Sequence, residues 1–335
     1  MLLGGAAAAW PLAGHAQQPE RMRRVGWLIP WSENDPQTTG KRDGLCAGSS
    51  LYEAEAYPTW TMRAAMMMRE VSMTDVEAIV QGYYGDRPVL QRIEDALRAA
   101  GVDPETPSHR DLWPFDQLHS RGIVATREHA ERARIRAGMY VLEIGCGLGG
   151  ASRYLAAECG CRVAAIDLTP AFVEVARILT ARCGLADRIE FRQANALALP
   201  FRDGTFDHVW SYAVTMNIAD KEGLGREVAR VLKPGGRFSC NEIAQGPGGA
   251  PVFPMPWATN GTSSFLVSPK AMRAALEAGG LSVIEQVDVT ATRFGDTGRQ
   301  PVVELDDFPL RVHNLQSCLA DGRLIAQFIL AEKSA

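Results

Sequence analysis

The residues most suited to ligand binding or chemistry form one glycine-rich segment, residues 141–150, which reads VLEIGCGLGG. It joins a predicted buried strand to a predicted helix, and glycine there lets the backbone turn sharply and lets a ligand approach the main chain. Asp167 ends the next predicted strand, 22 positions after Gly145, where its carboxylate can accept hydrogen bonds from ribose hydroxyls. These residue types at this spacing indicate a nucleotide-binding turn.

The glycine spacing alone does not identify the ligand. Gly145, Gly147 and Gly150 also satisfy the GxGxxG fingerprint of dinucleotide-binding folds. Glu143 lies two residues before the first glycine, where nicotinamide-binding folds usually carry an apolar residue. Its carboxylate could receive a cationic amino group, directly or through water. At this point a nicotinamide-dependent oxidoreductase and a plain glycine turn both remain open.

Three further segments follow the glycine turn. Residues 193–201 read QANALALPF after the third predicted strand, residues 206–211 read FDHVWS as the fourth strand, and residues 232–238 read LKPGGRF before the fifth. In this order and spacing, residues 120–290 resemble the class I S-adenosylmethionine-dependent methyltransferases. The resemblance implies a methyltransferase fold with S-adenosyl-L-methionine as its cofactor.

Two shorter runs narrow the resemblance. Residues 116–122 (DQLHSRG) and 216–221 (MNIADK) are similar to segments of bacterial small-molecule methyltransferases related to the sarcosine/dimethylglycine and quinone- or tocopherol-methylating groups. This similarity implies methyl transfer to a nitrogen or oxygen atom of a small-molecule acceptor. A quinone or lipid acceptor is the alternative within the same class.

The resemblance also implies roles around the glycine turn. Glu143 would lie near the cofactor's amino group and Asp167 would hold its ribose diol. Gly145, Gly147 and Gly149 would let the main chain approach the cofactor, and Leu168 would pack on the adenine. Asn195 and Ala196 would face the adenine amine, and Ser211 and Tyr212 would line the site near the sulfonium. The family more often has Asp at position 195. An Asn oxygen can still accept from the amine, while its NH₂ can donate to a ring nitrogen.

Methyl transfer from a sulfonium asks the protein mainly to hold the two reactants in line and to exclude water. No metal is required, and the six His residues form no ligand cluster in the sequence. His119 is the candidate base for an acceptor proton, with a structural role as the alternative, and Tyr212 is the second catalytic candidate. Tyr83 and Tyr84 are candidates for the acceptor pocket, with packing at a helix end as the alternative.

Three other features have mainly structural interpretations. We expect His208, within a strand, and Met216, after a strand end, to pack in the interior. Residues 246–257 form a Gly- and Pro-rich loop that ends in Trp257. This loop is long enough to be an acceptor-binding flap, although a passive surface connection explains it equally well.

The elements that position these residues alternate regularly between strand and helix. This alternation predicts an α/β, Rossmann-like, doubly wound and mostly parallel seven-stranded sheet with N-terminal lid helices. The predicted domains are an N-terminal extension (1–72), lid helices (73–137) and a cofactor-binding domain (138–335). The predicted strands are 140–144, 162–167, 189–193, 206–211, 237–243, 281–289 and 324–332. The predicted helices are 74–85, 88–100, 126–137, 150–158, 171–183, 221–232 and 268–278.

The first seventy residues do not match this pattern. Residues 1–18 contain a short apolar stretch and an Ala-x-Ala-like end, although they lack a positively charged start. Residues 1–45 resemble the leader and first strand of bacterial ABC-transporter substrate-binding proteins. One interpretation is an exported enzyme. The other, which we favour because the implied cofactor is cytosolic, is a leader fragment joined to an enzyme that begins near Met73, so that residues 1–70 form no packed part of the domain.

Composition excludes several other classes. The chain has 335 residues, of which 46% are hydrophobic, and its formal net charge is −4. These values argue against a disordered chain and a nucleic-acid-binding protein, and no apolar run reaches the roughly 20 residues of a spanning helix. Seven Cys residues without zinc-ligand spacing indicate reduced thiols in a cytoplasmic protein. A non-catalytic ligand-binding protein is supported only by residues 1–45, and the oligomeric state is left open.

Overall fold

The computed structural model describes residues 77–78, 81–82, 88–293 and 307–334. All of these residues belong to one structural unit, Thr61–Ala335. The predicted N-terminal extension, most of the first predicted helix, and Tyr83 and Tyr84 lie outside the described residues. Of that first helix, residues 77–78 and 81–82 are described and are helical.

A seven-stranded sheet forms the centre of the fold, in the order β3-β2-β1-β4-β5-β7-β6. Its strands are β1 Tyr140–Ile144, β2 Arg162–Asp167, β3 Ile189–Gln193, β4 Phe206–Tyr212, β5 Leu232–Gln245, β6 Leu281–Asp288 and β7 Leu324–Lys333. Strands β1 to β5 are parallel, and β7 runs antiparallel between β5 and β6. The predicted Rossmann-like, mostly parallel sheet is therefore confirmed. The antiparallel β7 distinguishes it from the 3-2-1-4-5-6 order of dinucleotide-binding sheets.

Eight α-helices accompany the sheet in the described ranges from residue 88 onward. They are α1 Val89–Ala99, α2 Trp113–Asp116, α3 Gly122–Arg132, α4 Gly150–Ala157, α5 Pro170–Arg182, α6 Lys221–Val231, α7 Pro269–Ala278 and α8 Phe308–Ala320. Within the part of the chain that the structure describes, none of them combines the length and apolar character needed to cross a membrane.

The structure corrects the bounds of two predicted elements and adds one helix. Helix α3 begins earlier than predicted. It also ends earlier, because Arg134 adopts a left-handed conformation with φ 57° that cannot continue a right-handed helix. Strand β5 is longer than predicted, since its pairing extends from Leu232 opposite Phe206 to Gln245 opposite Leu324. Helix α8 was not predicted at all. Its buried face includes Arg311 and Asn314, so hydrophobic periodicity does not reveal it.

Both faces of the sheet are covered by apolar side chains. On β1, Val141 packs in one core cluster, whereas Leu142 and Ile144 pack in another, as the two-residue period of a strand requires. A third cluster lies under the N-terminal segment. Here the residues of α1 at a spacing of four, Val89, Ile93 and Leu97, are buried in one cluster with Leu148 and Phe115. This helix is therefore held by apolar burial next to the glycine turn.

A buried ion pair fastens the segment before α3 to the sheet domain. Arg153 of α4 donates to the Asp116 carboxylate at 2.9 Å, and both side chains are fully buried. The same guanidinium donates to the main-chain oxygen of Leu148 at 2.7 Å and to Thr180 Oγ1 at 2.9 Å. Burial raises the pKa of Asp116, and the neighbouring Arg153 charge opposes that rise. Arg153 thus connects Asp116, which lies before α3, with the glycine turn and α5.

We expect Arg153→Met to lower the free energy of unfolding by about 3–5 kcal/mol, because it leaves the Asp116 charge buried without its cationic partner. The double variant Asp116→Asn/Arg153→Met should lose less than the single variant, since it removes that uncompensated charge. Urea denaturation measures both differences. Arg98→Met, which removes a half-exposed ion pair on α1, is the control and should cost less than about 1 kcal/mol. Equal losses for Arg153→Met and Arg98→Met would contradict this account of the buried pair.

Candidate active site

A cavity of about 260 Å³ opens at the carboxyl end of the parallel strands. It lies where the strand order reverses between β1 and β4, which is where open α/β sheets bind ligands. Its walls come from the ends of β1, β2 and β4, the segment after β3, and residues 116–119 before α3. The strand ends and residues 116–119 therefore form one shared site.

The glycine turn gives the cavity a main-chain wall. Gly145 and Gly147 have φ angles of 75° and 50°, a region that favours glycine. A Cβ at Gly147 would lie 3.0 Å from Leu118 Cδ1, and a Cβ at Gly145 would collide with Val214. The main-chain oxygen of Ile166 accepts from Gly145 N at 2.8 Å. The turn is thus fixed to β2, and larger residues are excluded at both positions.

Gly149 has a different function in the turn from the other two glycines. It does not line the cavity, and a Cβ there would contact Arg153 and Phe191. Its φ of 79° precedes the first turn of α4. The structure therefore gives Gly149 a packing function beneath the turn.

Asp167 spans the glycine turn and the segment after β2. Its carboxylate accepts from Gly147 N at 2.8 Å and from Thr169 N at 2.9 Å. Burial raises the pKa of Asp167, and these main-chain hydrogen bonds oppose the rise. The Thr169 hydroxyl and Leu168 N also form hydrogen bonds to this carboxylate and stabilise its ionised form. Asp167 lines the cavity, where its sequence position predicted it.

Glu143 is a second buried carboxylate on the same cavity. Its nearest hydrogen-bond donor is the Ser152 hydroxyl of α4. Burial raises the pKa of Glu143 to about 8, and the nearby Asp167 charge adds to the rise while Ser152 and Arg153 oppose it. A cationic ligand in the cavity would favour the ionised carboxylate and lower this pKa.

The predicted adenine-side residues lie together. Leu168, Asn195 and Ala196 all line the cavity. Asn195 Oδ1 accepts from Leu197 N at 2.8 Å, and its Nδ2 donates to the carboxylate of Glu77. The interaction with Glu77 was not foreseen, because the two residues are 118 positions apart in the sequence. Asn195 is thus bonded on both sides of its amide group.

His119 and Tyr212 form an aromatic stack in the cavity wall. Their ring centroids are 3.8 Å apart and their planes differ by 18°. His119 Nε2 lies 3.1 Å from Thr126 Oγ1, and the Thr126 hydroxyl donates to Gln117 Oε1 at 2.6 Å. Since the single hydroxyl proton of Thr126 is used toward Gln117, its oxygen accepts from His119 Nε2–H. The other ring nitrogen, Nδ1, lies 3.2 Å from the main-chain oxygen of Ser120.

These contacts bear on the role predicted for His119. Both ring nitrogens lie within hydrogen-bonding distance of protein oxygen atoms, and the role of His119 as a base stays a prediction. Gln117 in turn donates to Asp116 at 2.9 Å. Through Gln117 and Thr126, hydrogen bonds thus connect the buried ion pair to the aromatic stack.

Ser211 lies behind the cavity wall rather than in it. Its side chain is buried, it is not among the cavity-lining residues, and its hydroxyl donates to Glu242 Oε1 at 3.1 Å. Successive strand residues point to opposite faces, so Tyr212 and Ser211 cannot both face the same space. The structure therefore differs from the sequence-based placement of Ser211 beside the sulfonium.

Two residues that were not predicted shape the wall after β4. Glu242 accepts from Thr215 N at 3.0 Å and from Val214 N at 3.2 Å, and burial raises its pKa to about 7. Lys221 donates to the main-chain oxygens of Thr215 and Ile218, and burial lowers its pKa to about 8. Each residue had a sequence signal: Glu242 is a carboxylate within an apolar strand, and Lys221 is the first residue of helix α6.

The loop after β5 is fastened rather than loosely attached. Asn217 Nδ2 donates to the main-chain oxygens of Trp257 at 3.2 Å and Ser263 at 2.8 Å. From α8, Arg311 donates to the main-chain oxygen of Met255 at 2.8 Å and Asn314 to that of Pro254 at 3.0 Å. Because Pro256 and Phe308 line the cavity, this loop and α8 form one of its walls.

The two residues expected to be structural are buried as predicted. His208 Nε2 lies 2.7 Å from Ser239 Oγ, and burial lowers the pKa of His208 to about 3, so the ring is neutral. Met216 packs in a cluster with Met255 and Trp257.

Comparison with known proteins agrees with the motifs. Residues 142–240 match the methyltransferase domain family. The chain is 43% identical over 149 residues to the chloroplastic tocopherol O-methyltransferase of Arabidopsis thaliana, a match that covers 44% of this chain and 35% of the relative. It is 41% identical over 106 residues to sarcosine/dimethylglycine N-methyltransferase of Halorhodospira halochloris, covering 32% and 38% respectively. The chain spans half or less of the length of the curated relatives it matches.

A solved structure shows the same fold over a larger part of the chain. Geranyl diphosphate C-methyltransferase from Streptomyces coelicolor superposes with a TM-score of 0.59 at 21% identity, covering 78% of this chain and 99% of that one. Sequence motifs, strand order and family match thus agree. The motifs predicted the match of residues 142–240 to the methyltransferase domain family, and the fold is that of a solved methyltransferase.

Proposed function

We propose that the protein transfers a methyl group from S-adenosyl-L-methionine to a small-molecule acceptor at a nitrogen or oxygen atom. One observation carries this proposal: a single cavity is lined by two carboxylates, the buried Glu143 and the half-buried Asp167, beside a main-chain glycine wall and an aromatic stack. When bound, S-adenosyl-L-methionine supplies a methyl group that is already activated for transfer.

The residues present fit a cationic nucleoside donor. Glu143 bears a carboxylate whose buried charge a ligand amino group would stabilise, and Asp167 places a second carboxylate on the same cavity as the acceptor for a ribose diol. The glycine turn lets the main chain approach a ligand between them. Leu168 and Ala196, beside Asn195, provide apolar contact for a flat base. In this proposal Ser211 and Gly149 support the site from behind.

The acceptor side has a different character. Val214, Ile218, Pro256 and Phe308 place apolar surface on the cavity. Such walls favour an acceptor with a hydrocarbon or aromatic body, so a quinone- or phenol-like small molecule fits at least as well as a small amine. The named substrate groups of the relatives, which include tocopherol and sarcosine, span both possibilities.

We assign His119 and Tyr212 to the methyl-transfer step as positioning groups. Their stack is a rigid wall that can hold an acceptor in line with the methyl group and exclude water. His119 is held in this wall by its contacts with Thr126 and with the main-chain oxygen of Ser120. The net charge of −4 does not favour a nucleic-acid partner, and a cytosolic cofactor favours a cytoplasmic location.

We expect S-adenosylhomocysteine, and not NAD, to raise the midpoint of thermal unfolding of the full chain. Asp167→Ala should weaken S-adenosylhomocysteine binding by about 1–3 kcal/mol, because the ribose hydroxyls lose a buried acceptor. Isothermal titration calorimetry gives both affinities. Glu174→Ala, an exposed carboxylate on α5, is the control and should bind as the wild type does. Stabilisation by NAD alone would favour the oxidoreductase interpretation instead.

Donor affinity should rise with pH between 6 and 8. With its pKa near 8, Glu143 is mostly protonated at pH 6, and a bound ligand ammonium group stabilises the ionised form, so that binding releases a proton. Release of one full proton corresponds to about a tenfold gain in affinity per pH unit. Calorimetry in buffers of different ionisation enthalpy counts the protons. Glu143→Gln should abolish the release, and the exposed Glu131→Gln should retain it; proton-free binding by the wild type would contradict this role of Glu143.

A labelled methyl donor should yield a labelled small molecule when the full chain is incubated with a cell extract. We expect His119→Gln to lower the initial rate of labelling by about tenfold or more, because the acceptor loses its positioning wall. Its affinity for S-adenosylhomocysteine should stay unchanged. The control is His313→Gln, an exposed position on α8. Label found only in protein or nucleic acid would count against a small-molecule acceptor.

A further inference from the structure

Glu77 lines the same cavity as Asn195. Its Oε1 accepts from Asn195 Nδ2, and Asn195 Oδ1 is occupied by Leu197 N. The oxygen of Asn195 therefore faces the protein main chain, and the carboxylate beside it comes from the N-terminal segment.

A second contact from the same part of the chain reaches this end of the cavity. Gln81 Nε2 donates to the main-chain oxygen of Leu168 at 3.2 Å. Residues 77 and 81 are both helical, and they are four positions apart in the sequence. Their side chains contact Asn195 after β3 and Leu168 after β2, next to Asp167.

The chemistry of the cavity then assigns a ligand group to Glu77. A nucleoside whose ribose is held by Asp167 directs its base along Leu168 and Ala196 toward Asn195. Adenine presents an amino group, which donates, beside the ring nitrogen N1, which accepts. A carboxylate next to an amide NH₂ group is complementary to that edge, and a hydrogen bond to an ionised acceptor is stronger than one between neutral groups.

We propose that Glu77 accepts a hydrogen bond from the adenine 6-amino group of the donor, while the second Nδ2 hydrogen of Asn195 is directed to adenine N1. This inference rests on the proposed function. The N-terminal segment is then a specificity-determining part of the donor site. The pairing also explains the amide at position 195, because Asp there would face the Glu77 carboxylate and the two like charges would repel.

S-Inosylhomocysteine tests this recognition directly, since it carries a carbonyl oxygen in place of the 6-amino group and a hydrogen on N1. We expect the wild-type full chain to bind S-adenosylhomocysteine at least about tenfold more tightly than this analogue, a difference that corresponds to one charged hydrogen bond. Glu77→Gln should reduce that ratio to about twofold, because an amide can turn to offer either a donor or an acceptor. Gln81→Ala is the matched control: both affinities fall, and their ratio stays at the wild-type value.

A charge exchange between the two positions gives a second test. Asn195→Asp should weaken binding of S-adenosylhomocysteine, because two carboxylates then face each other. Glu77→Gln/Asn195→Asp restores one carboxylate and one amide, and should recover preference for adenine over hypoxanthine. Circular dichroism and thermal unfolding establish that each variant is folded.

The outcomes separate this inference from the proposed function. A wild-type protein that binds S-adenosylhomocysteine without preferring it to the inosine analogue, or a ratio unaltered in Glu77→Gln, would overturn the role of Glu77 alone. A wild-type protein that binds neither compound would overturn the proposed function itself. Loss of preference in Glu77→Gln with recovery in the exchanged pair supports the assignment.

Discussion

The contact on which the site depends is the buried pairing of Arg153 with Asp116. A chain of hydrogen bonds runs from it through Gln117 and Thr126 to the imidazole of His119. The same guanidinium binds the main-chain oxygen of Leu148 in the glycine turn. One cation thus fixes both the donor wall and the orientation of the aromatic stack, so that the two cannot shift independently.

Electrostatics supports the proposal of a positively charged ligand. The buried Glu143 and the half-buried Asp167 line one cavity, and loss of hydration raises the pKa of both. Keeping these carboxylates ionised costs free energy in the ligand-free protein, and a cation between them reduces that cost. Glu242, whose pKa is raised to about 7, lies behind the wall and is occupied by main-chain donors. Carboxylates of similar burial thus have different functions according to what already binds them.

Much of the sheet and of the donor half could be predicted from the sequence. Strands β1, β2 and β3 have their predicted bounds, since short apolar runs that end at turn residues are local signals. The glycine turn and Asp167 follow from spacing for the same reason. The pairings of Asp116 with Arg153 and of Glu77 with Asn195 could not be predicted, because they join residues 37 and 118 positions apart and leave no local periodicity. Helix α8 was missed for a related reason, as Arg311 and Asn314 are buried through contacts with a distant loop.

The contrast between local sequence signals and long-range contacts also explains why the donor is easier to assign than the acceptor. The donor wall consists largely of main chain and strand ends, whose geometry depends on glycine positions and on sheet register. The acceptor wall depends on side-chain contacts between separate segments: Asn217 holds the loop after β5, and Arg311 holds that loop to α8. Substitutions at Pro256 or Phe308 would reshape this wall without touching the glycine turn. Acceptor choice is therefore a property of tertiary packing, and it can change while the donor site stays the same.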